Sequence, residues 1–288
     1  MSNMDNTKKT IRYIVSFFLV IPLLSLLMTY SLKDPEDLSV MALKEEVITK
    51  ENRVLATEPE RIELSDHKES MELKGEDFVI KRAYLTFDDG PSFNTDRILD
   101  ILDYYGVKAS FFVNNRTDLE SIERYRRIVD EGHTLGLHSC SHVYSQVYKN
   151  ADAFLNDYKA NQAYVASVTG VVPVIYRFPG GSDNHVSPLD NSIYENILND
   201  MGVRYYDWNV SAGDAVNPVA SKDRILHNIF TECDMQEGDI MVLLHDLPEK
   251  TTTVEALPEI IEGLLARGYV LLPIDTGEDS TTPEFHLE

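Results

Sequence analysis

Five short clusters in this chain combine residue types that can hold a metal ion or move a proton. The first is Thr86-Phe87-Asp88-Asp89-Gly90-Pro91, where two adjacent carboxylates leave an apolar run and meet a Gly-Pro turn. In a continuing strand the two would point to opposite faces, but a turn can aim both into one place. Paired carboxylates repel, so a metal ion or an arginine must hold them together. The second is His138-Ser139-Cys140-Ser141-His142. On a helix, positions i and i+4 share a face, so both imidazoles reach one ion. Cys140 falls about half a turn from that face and reads as a small buried residue rather than a third ligand. A bridge between Cys140 and Cys233 stays open. The third cluster is Arg177-Phe178-Pro179-Gly180-Gly181-Ser182. Its arginine can pin a carboxylate through two parallel hydrogen bonds, and its glycines leave backbone N–H groups free to approach a substrate. The fourth, Tyr205-Tyr206-Asp207-Trp208-Asn209-Val210, holds the only tryptophan in the chain, and the fifth is Leu243-Leu244-His245-Asp246. Singly these are weak signals, because Asp-Gly turns, surface histidine pairs and structural histidines are common.

The elements between the clusters make them stronger together. Apolar runs at Ala83–Phe87, Ala109–Val113, Thr134–His138, Val174–Tyr176, Val203–Trp208, Ile240–Leu244 and Val270–Pro273 read as strands. Helical patterns at Asp96–Tyr105, Asp118–Asp130, Ala151–Thr169, Asn191–Met201, Ser221–Thr231 and Val254–Arg267 separate them, several closed by glycine. Repeated strand-then-helix order predicts a parallel sheet or barrel. In such folds reactive groups sit at the C-terminal ends of strands, and all five clusters fall there. His67, His133, His185, His227 and His286 show no partner spacing and get a structural reading.

Outside residues 81–275 the composition changes. Tyr13–Leu32 is a run of 20 uncharged residues, with Lys8, Lys9 and Arg12 before it. At about 1.5 Å per residue a helix of that length spans about 30 Å, a bilayer's hydrocarbon core. The basic flank places residues 1–12 in the cytoplasm and the rest outside. A cleaved signal peptide with secretion is the rival reading; the long run and the lack of a small-residue cleavage site favour an uncleaved signal-anchor. Residues 33–80 are charged and hold one aromatic, Phe78, which predicts an extracellular stalk, with a short amphipathic helix over Leu38–Leu55. Residues 276–288 are polar and acidic and read as a flexible tail. The chain carries 26 Lys and Arg against 48 Asp and Glu, a formal charge of −22, which excludes a nucleic-acid binder. A 43% hydrophobic content excludes wholesale disorder, and two cysteines exclude a disulfide framework.

From about Arg82 to about Ile274 the chain resembles the polysaccharide deacetylases of carbohydrate esterase family 4, the NodB-homology domain. The resemblance rests on TFDDGP at 86–91, HSCSH at 138–142, RFPGG at 177–181, DW at 207–208 and LLH at 243–245. One departure is Gly180, where many members carry Tyr. The resemblance implies a distorted (β/α) barrel. It implies that Asp89, His138 and His142 bind a divalent metal, usually zinc, with cobalt or manganese as alternatives. It makes Asp88 the general base, held by Arg177. His245 becomes the general acid, oriented by Asp207. Trp208 and Leu243 then line the pocket for the acetyl methyl, and the Gly180 N–H joins the metal at the oxyanion. The substrate class it implies is an N-acetylglucosamine polysaccharide, and a stalked enzyme outside the membrane is best placed for peptidoglycan. Other polymers of the family stay as alternatives: chitooligosaccharide, exopolysaccharide and acetylated xylan. A catalytically inactive glycan-binding module is a further one, and the presence of all five metal and acid–base residues argues against it. Oligomeric state is left open.

Overall fold

A computed structural model describes residues 80–215, 220–277 and 280–287. The expected cytoplasmic segment, transmembrane span and stalk, apart from Ile80, lie outside the described residues. Among those described, no helix is long and apolar enough to cross a membrane.

The first apolar run forms β1, Lys81–Asp88, and every residue from Ala83 onward is buried. A strand covered on both faces reads as a continuous apolar run rather than an alternation. β1 pairs in parallel on both sides, with β2 (Ser110–Asn114) and β7 (Ile240–His245), and its first residues also pair with β8 (Tyr269–Leu271). Next come β3 (Thr134–Ser139), β4 (Ile175–Tyr176), β5 (Arg204–Tyr205) and β6 (Val210–Ser211). The sheet order is β5-β4-β3-β2-β1-β7-β6, and all the pairings are parallel. Parallel neighbours need crossover connections, which the helices supply. These are α1 (Phe93–Tyr104), α2 (Leu119–Asp130), the one-turn α3 (Tyr144–Val147), α4 (Ala151–Thr169), α5 (Ser192–Asp200), α6 (Lys222–Cys233) and α7 (Thr251–Ala266). The core between sheet and helices is apolar and fully buried at Leu85, Phe87, Ile98, Phe111, Val242 and Leu257, with Phe87 stacked on Phe111 at 5.1 Å.

The expected barrel is a half-barrel. β5 and β6 form the two ends of the sheet and do not pair with each other. The physical reason lies in the strand expected at Val203–Trp208, which is cut to Arg204–Tyr205, with Val210–Ser211 a separate strand beyond it. Tyr206 N–H still reaches the Tyr176 carbonyl at 3.0 Å, but Asp207 N–H turns to the Phe285 carbonyl at 2.7 Å and Asn209 N–H to that of Met241 at 3.2 Å. Two-residue strands on either side offer too few backbone groups to close a ladder.

The same contacts correct the expectation of a flexible tail. The Phe285 ring meets Tyr84 edge-on at 6.1 Å, and the His286 ring lies 4.3 Å from that of Tyr205. Leu287 N–H donates to Asp207 Oδ2 at 3.0 Å. Composition marked this segment as polar, but the unfilled gap between β5 and β6 supplies it with partners. Cys140 and Cys233 are both free thiols.

Candidate metal centre and acid–base site

The Asp-Asp pair is split by a change of backbone conformation. Asp88 ends β1 beside its register partner His245 at the end of β7. Asp89 adopts φ 74, in the left-handed region that costs a non-glycine residue about 1–3 kcal/mol. Three backbone bonds pin the turn: Asp89 N–H to the Phe112 carbonyl, Asn114 N–H to that of Gly90 and Asp246 N–H to that of Asp88. Gly90 is required here, because a Cβ would lie 2.5 Å from Asp246 Oδ2.

His138 and His142 do converge on Asp89, though not along a helix face. His138 is still in β3, and His142 follows in a turn at φ 53. The Ser139 hydroxyl accepts from the N–H groups of Ser141 and His142, at 3.2 and 2.9 Å, and so folds the turn back. His138 Nδ1 bonds the Arg177 carbonyl at 2.8 Å, which turns Nε2 towards Asp89 Oδ1 at 3.7 Å. His142 Nε2 lies 3.3 Å from the same oxygen. One ligand atom from each of the three residues falls within 4.8 Å of the others. Two imidazoles and a carboxylate fit a divalent ion with open positions, and the His138 ring is oriented as a metal ligand's would be, by a carbonyl at its far nitrogen. Burial raises the Asp89 carboxyl, but the imidazoles of His138, His142 and His245 outweigh it and hold it below the usual carboxylate range. Burial, followed by His138, lowers His142, which favours the neutral ligand form. Asn114 Nδ2 donates to Asp89 Oδ1 at 3.1 Å and fixes the carboxylate.

Arg177 is wholly buried beneath this pair. Its Nη1 donates to Asp88 Oδ1 at 2.9 Å and to Thr86 Oγ1 at 2.6 Å. Its Nε and Nη2 donate to the carbonyls of Tyr206 and Asp207, each at 2.9 Å, and its guanidinium lies over the Phe112 ring at 4.2 Å. The expected grip of Arg177 on Asp88 is therefore present, through one N–H rather than two.

The partner expected for His245 is a correction. His245 Nδ1 bonds Asp214 Oδ1 at 2.8 Å, and Asp214 Oδ2 accepts from the His245 backbone N–H at 3.1 Å and the Thr253 hydroxyl at 2.9 Å. Asp207 is buried elsewhere. Its carboxylate accepts from Ser182 N–H at 2.9 Å, the Ser182 hydroxyl at 2.5 Å and Leu287 N–H. It ties the Arg177–Ser182 loop to the C-terminal segment. The signal for Asp214 was present: Ser211-Ala212-Gly213-Asp214 ends a strand, but only if Val210–Ser211 is read as one. Burial lowers His245, yet the hydrogen bond and charge of Asp214 outweigh it and leave the imidazole above its ordinary value. Asp214 is correspondingly lowered, its own burial overcome by His245.

The sequence places Asp246 in the fifth cluster but assigns it no role; it is fully buried. It accepts from the hydroxyls of Ser92 and Thr95 at 2.6 and 2.5 Å, and so joins the β1 turn and the first turn of α1 to the end of β7. Burial pushes its carboxyl up to about 6 against those two bonds. Asp88, Asp89, His138, His142 and His245 open onto a cavity of about 530 Å³, whose wall also includes Gly180, Trp208 and Leu243. Tyr144 and Lys250 line it as well. Lys250 donates to the Asp214 carbonyl at 2.7 Å.

A polysaccharide deacetylase family model matches residues 76–206. A peptidoglycan-N-acetylglucosamine deacetylase of Bacillus cereus is 31% identical over 236 residues, 80% of this chain and 82% of that protein. A bifunctional xylanase/deacetylase of Pseudobutyrivibrio xylanivorans is 34% identical over 201 residues, 67% of this chain and 30% of that protein. Among solved structures, the catalytic domain of a peptidoglycan N-acetylglucosamine deacetylase from Eubacterium rectale superposes with a TM-score of 0.65 at 38% identity, over 72% of this chain and 93% of that one.

Proposed function

The chain belongs to the polysaccharide deacetylase family, and on that premise we propose that it removes N-acetyl groups from the N-acetylglucosamine residues of peptidoglycan, releasing acetate. The observation that carries the reading is the pairing of Asp88 and His245 as register neighbours at the ends of β1 and β7, beside the Asp89–His138–His142 cluster. One carboxylate and one imidazole thus face a single cavity together with a candidate metal-ligating set.

Amide hydrolysis needs a nucleophile, a place for the oxyanion and a proton for the leaving amine. Asp89, His138 and His142 would hold a divalent ion, zinc before cobalt or manganese, which would supply Lewis acidity and an activated water at neutral pH. Asp88, held by Arg177, takes the proton of the attacking water. The Gly180 N–H faces the oxyanion. His245, kept protonated by Asp214, gives its proton to the leaving nitrogen. Trp208 and Leu243 enclose the acetyl methyl. Residues 13–32 anchor the enzyme in the cell membrane and residues 33–80 hold the catalytic domain outside it, within reach of the wall. The likeness to peptidoglycan deacetylases over most of their length supports this substrate. The likeness to a xylanase/deacetylase keeps O-acetyl ester cleavage as the second reading.

The test is acetate release from peptidoglycan, chitooligosaccharides and acetylated xylan by the purified enzyme, with each metal and after chelation. Metal-dependent acetate from the first two alone is the expected result. Release from xylan alone would overturn the substrate and leave the hydrolytic machinery standing.

A further inference from the structure

We propose that the Tyr144 hydroxyl is a second oxyanion donor, acting with the Gly180 N–H on the carbonyl oxygen of the scissile acetyl group. The inference rests on the deacetylase reading and assigns a substrate contact to a residue from outside the five clusters.

Tyr144 begins α3, two residues after the metal-site His142, and its ring lies 5.3 Å from the His142 ring at 46°. It is partly buried in the wall of the catalytic cavity with Asp88, Asp89 and Gly180. A Cβ placed on Gly180 would lie 3.3 Å from the Tyr144 Oη, so the hydroxyl occupies the space that a side chain at 180 would enter. Gly180 itself is held at φ 84. Among the described residues, neither the Tyr144 O–H nor the Gly180 N–H has a protein acceptor. The tyrosines next along the same aromatic chain, which is buried behind the wall, are used: Tyr148 O–H donates to the Pro179 carbonyl at 2.9 Å, and Tyr194 O–H to that of Tyr148 at 3.0 Å. A donor left open while its neighbours are satisfied, beside a backbone N–H also left open, forms a two-point cradle for one oxygen. The ring contacts fix its direction, since Tyr144 is packed between His142 and Tyr148, the latter at 6.2 Å. Donors fixed in advance are worth most where charge develops, in the transition state.

Tyr144→Phe in the full chain keeps the ring and removes only the hydroxyl. With zinc loaded and chitopentaose or peptidoglycan as substrate, the expected result is a kcat lower by about 10–100-fold, with KM and zinc affinity within about threefold of the unaltered enzyme. Calorimetric binding of chitopentaose to Asp88→Asn and to Asp88→Asn with Tyr144→Phe should give the same Kd, because the contact forms only as the oxyanion does. An unchanged kcat would overturn the proposal. So would a raised KM with kcat intact, which would make the hydroxyl a sugar contact, or a zinc affinity that falls together with kcat, which would make the residue a support for His142. Absence of acetate from the unaltered enzyme would instead bring down the deacetylase reading on which the proposal stands.

Discussion

The two sides of the cavity are built differently. On the metal side the parts come as two short pairs, each local in sequence and locally strained. Asp88 and Asp89 are neighbours, His138 and His142 share one turn, and both Asp89 and His142 sit at positive φ. Side chains from the same turns or the next strand, Ser139 and Asn114, fix that geometry. On the acid side each part comes from its own element, and none sits at positive φ. His245 comes from β7, Asp214 from the turn after β6 and Thr253 from α7, and residues 31 to 39 positions apart meet through buried hydrogen bonds. The metal side positions atoms by bending the backbone, whereas the acid side relies on sheet register to set a pKa. Asp246 ties the two together through Ser92 and Thr95.

The comparison fails first if the metal side is not a metal side. His138→Ala should abolish stoichiometric zinc binding in calorimetry and lower kcat/KM by about 10³-fold or more, the several kcal/mol that a Lewis acid supplies. Retained zinc with retained activity would remove the cluster from the chemistry.

Asp214→Asn tests the acid side. It should leave zinc affinity alone and lower kcat by about 10²–10⁴. His245 must be protonated to donate, and Asp214 raises its pKa, so the alkaline limb of the kcat–pH profile should move to lower pH in the variant. Asp207→Asn should leave that limb in place and lower Tm, since its carboxylate holds a loop and the C-terminal segment. A limb that moves in Asp207→Asn and not in Asp214→Asn would reverse the assignment.

Asp246 probes the tie between the sides. Its folded pKa is raised to about 6, so its contribution to stability is fully present below the unfolded carboxyl's range and is lost as pH rises to about 6. The loss is at most about 3 kcal/mol. Asp246→Asn should therefore gain stability relative to the unaltered protein between about pH 4 and 6 in urea unfolding. Parallel pH curves for the two proteins would contradict it.

The smallest effects separate the sides most cleanly. Asn114→Ala removes one bond to Asp89 and should weaken zinc binding by about 10–100-fold with no change in the alkaline limb. Thr253→Val removes one bond to Asp214 and should do the opposite, moving the limb by a few tenths of a unit at unchanged zinc affinity.

Much of the metal side was legible because its signals are local. Two carboxylates before a Gly-Pro turn and two histidines four apart can be recognised without knowing what lies across the sheet. Even there the helix-face argument for His138 and His142 reached the right pair by the wrong geometry, since a serine-capped turn brings them together. The acid side is half legible: His245 stands at a strand end, but the family resemblance points to Asp207 as its partner where the structure has Asp214. Both aspartates follow short extended pieces, and which one faces His245 depends on β6 pairing with β7, with Ser211 opposite Leu243. The C-terminal segment was misread for a related reason, because its partners Tyr84, Tyr205 and Asp207 are distant in sequence.

By itself the sequence determined the alternation of parallel strands and helices, the strand-end position of the reactive groups and the two histidines that meet beside the Asp-Asp turn. Apolar periodicity and short-range spacing act within a few residues, and those features need no more than that. Only the tertiary structure decided that the barrel stays open between β5 and β6, that Asp214 rather than Asp207 holds His245, that Asp246 joins the two sides, and that Tyr144 stands over Gly180. Each of these depends on which distant backbone groups find each other once the sheet's register is set, and register is a property of packed faces, not of any one segment.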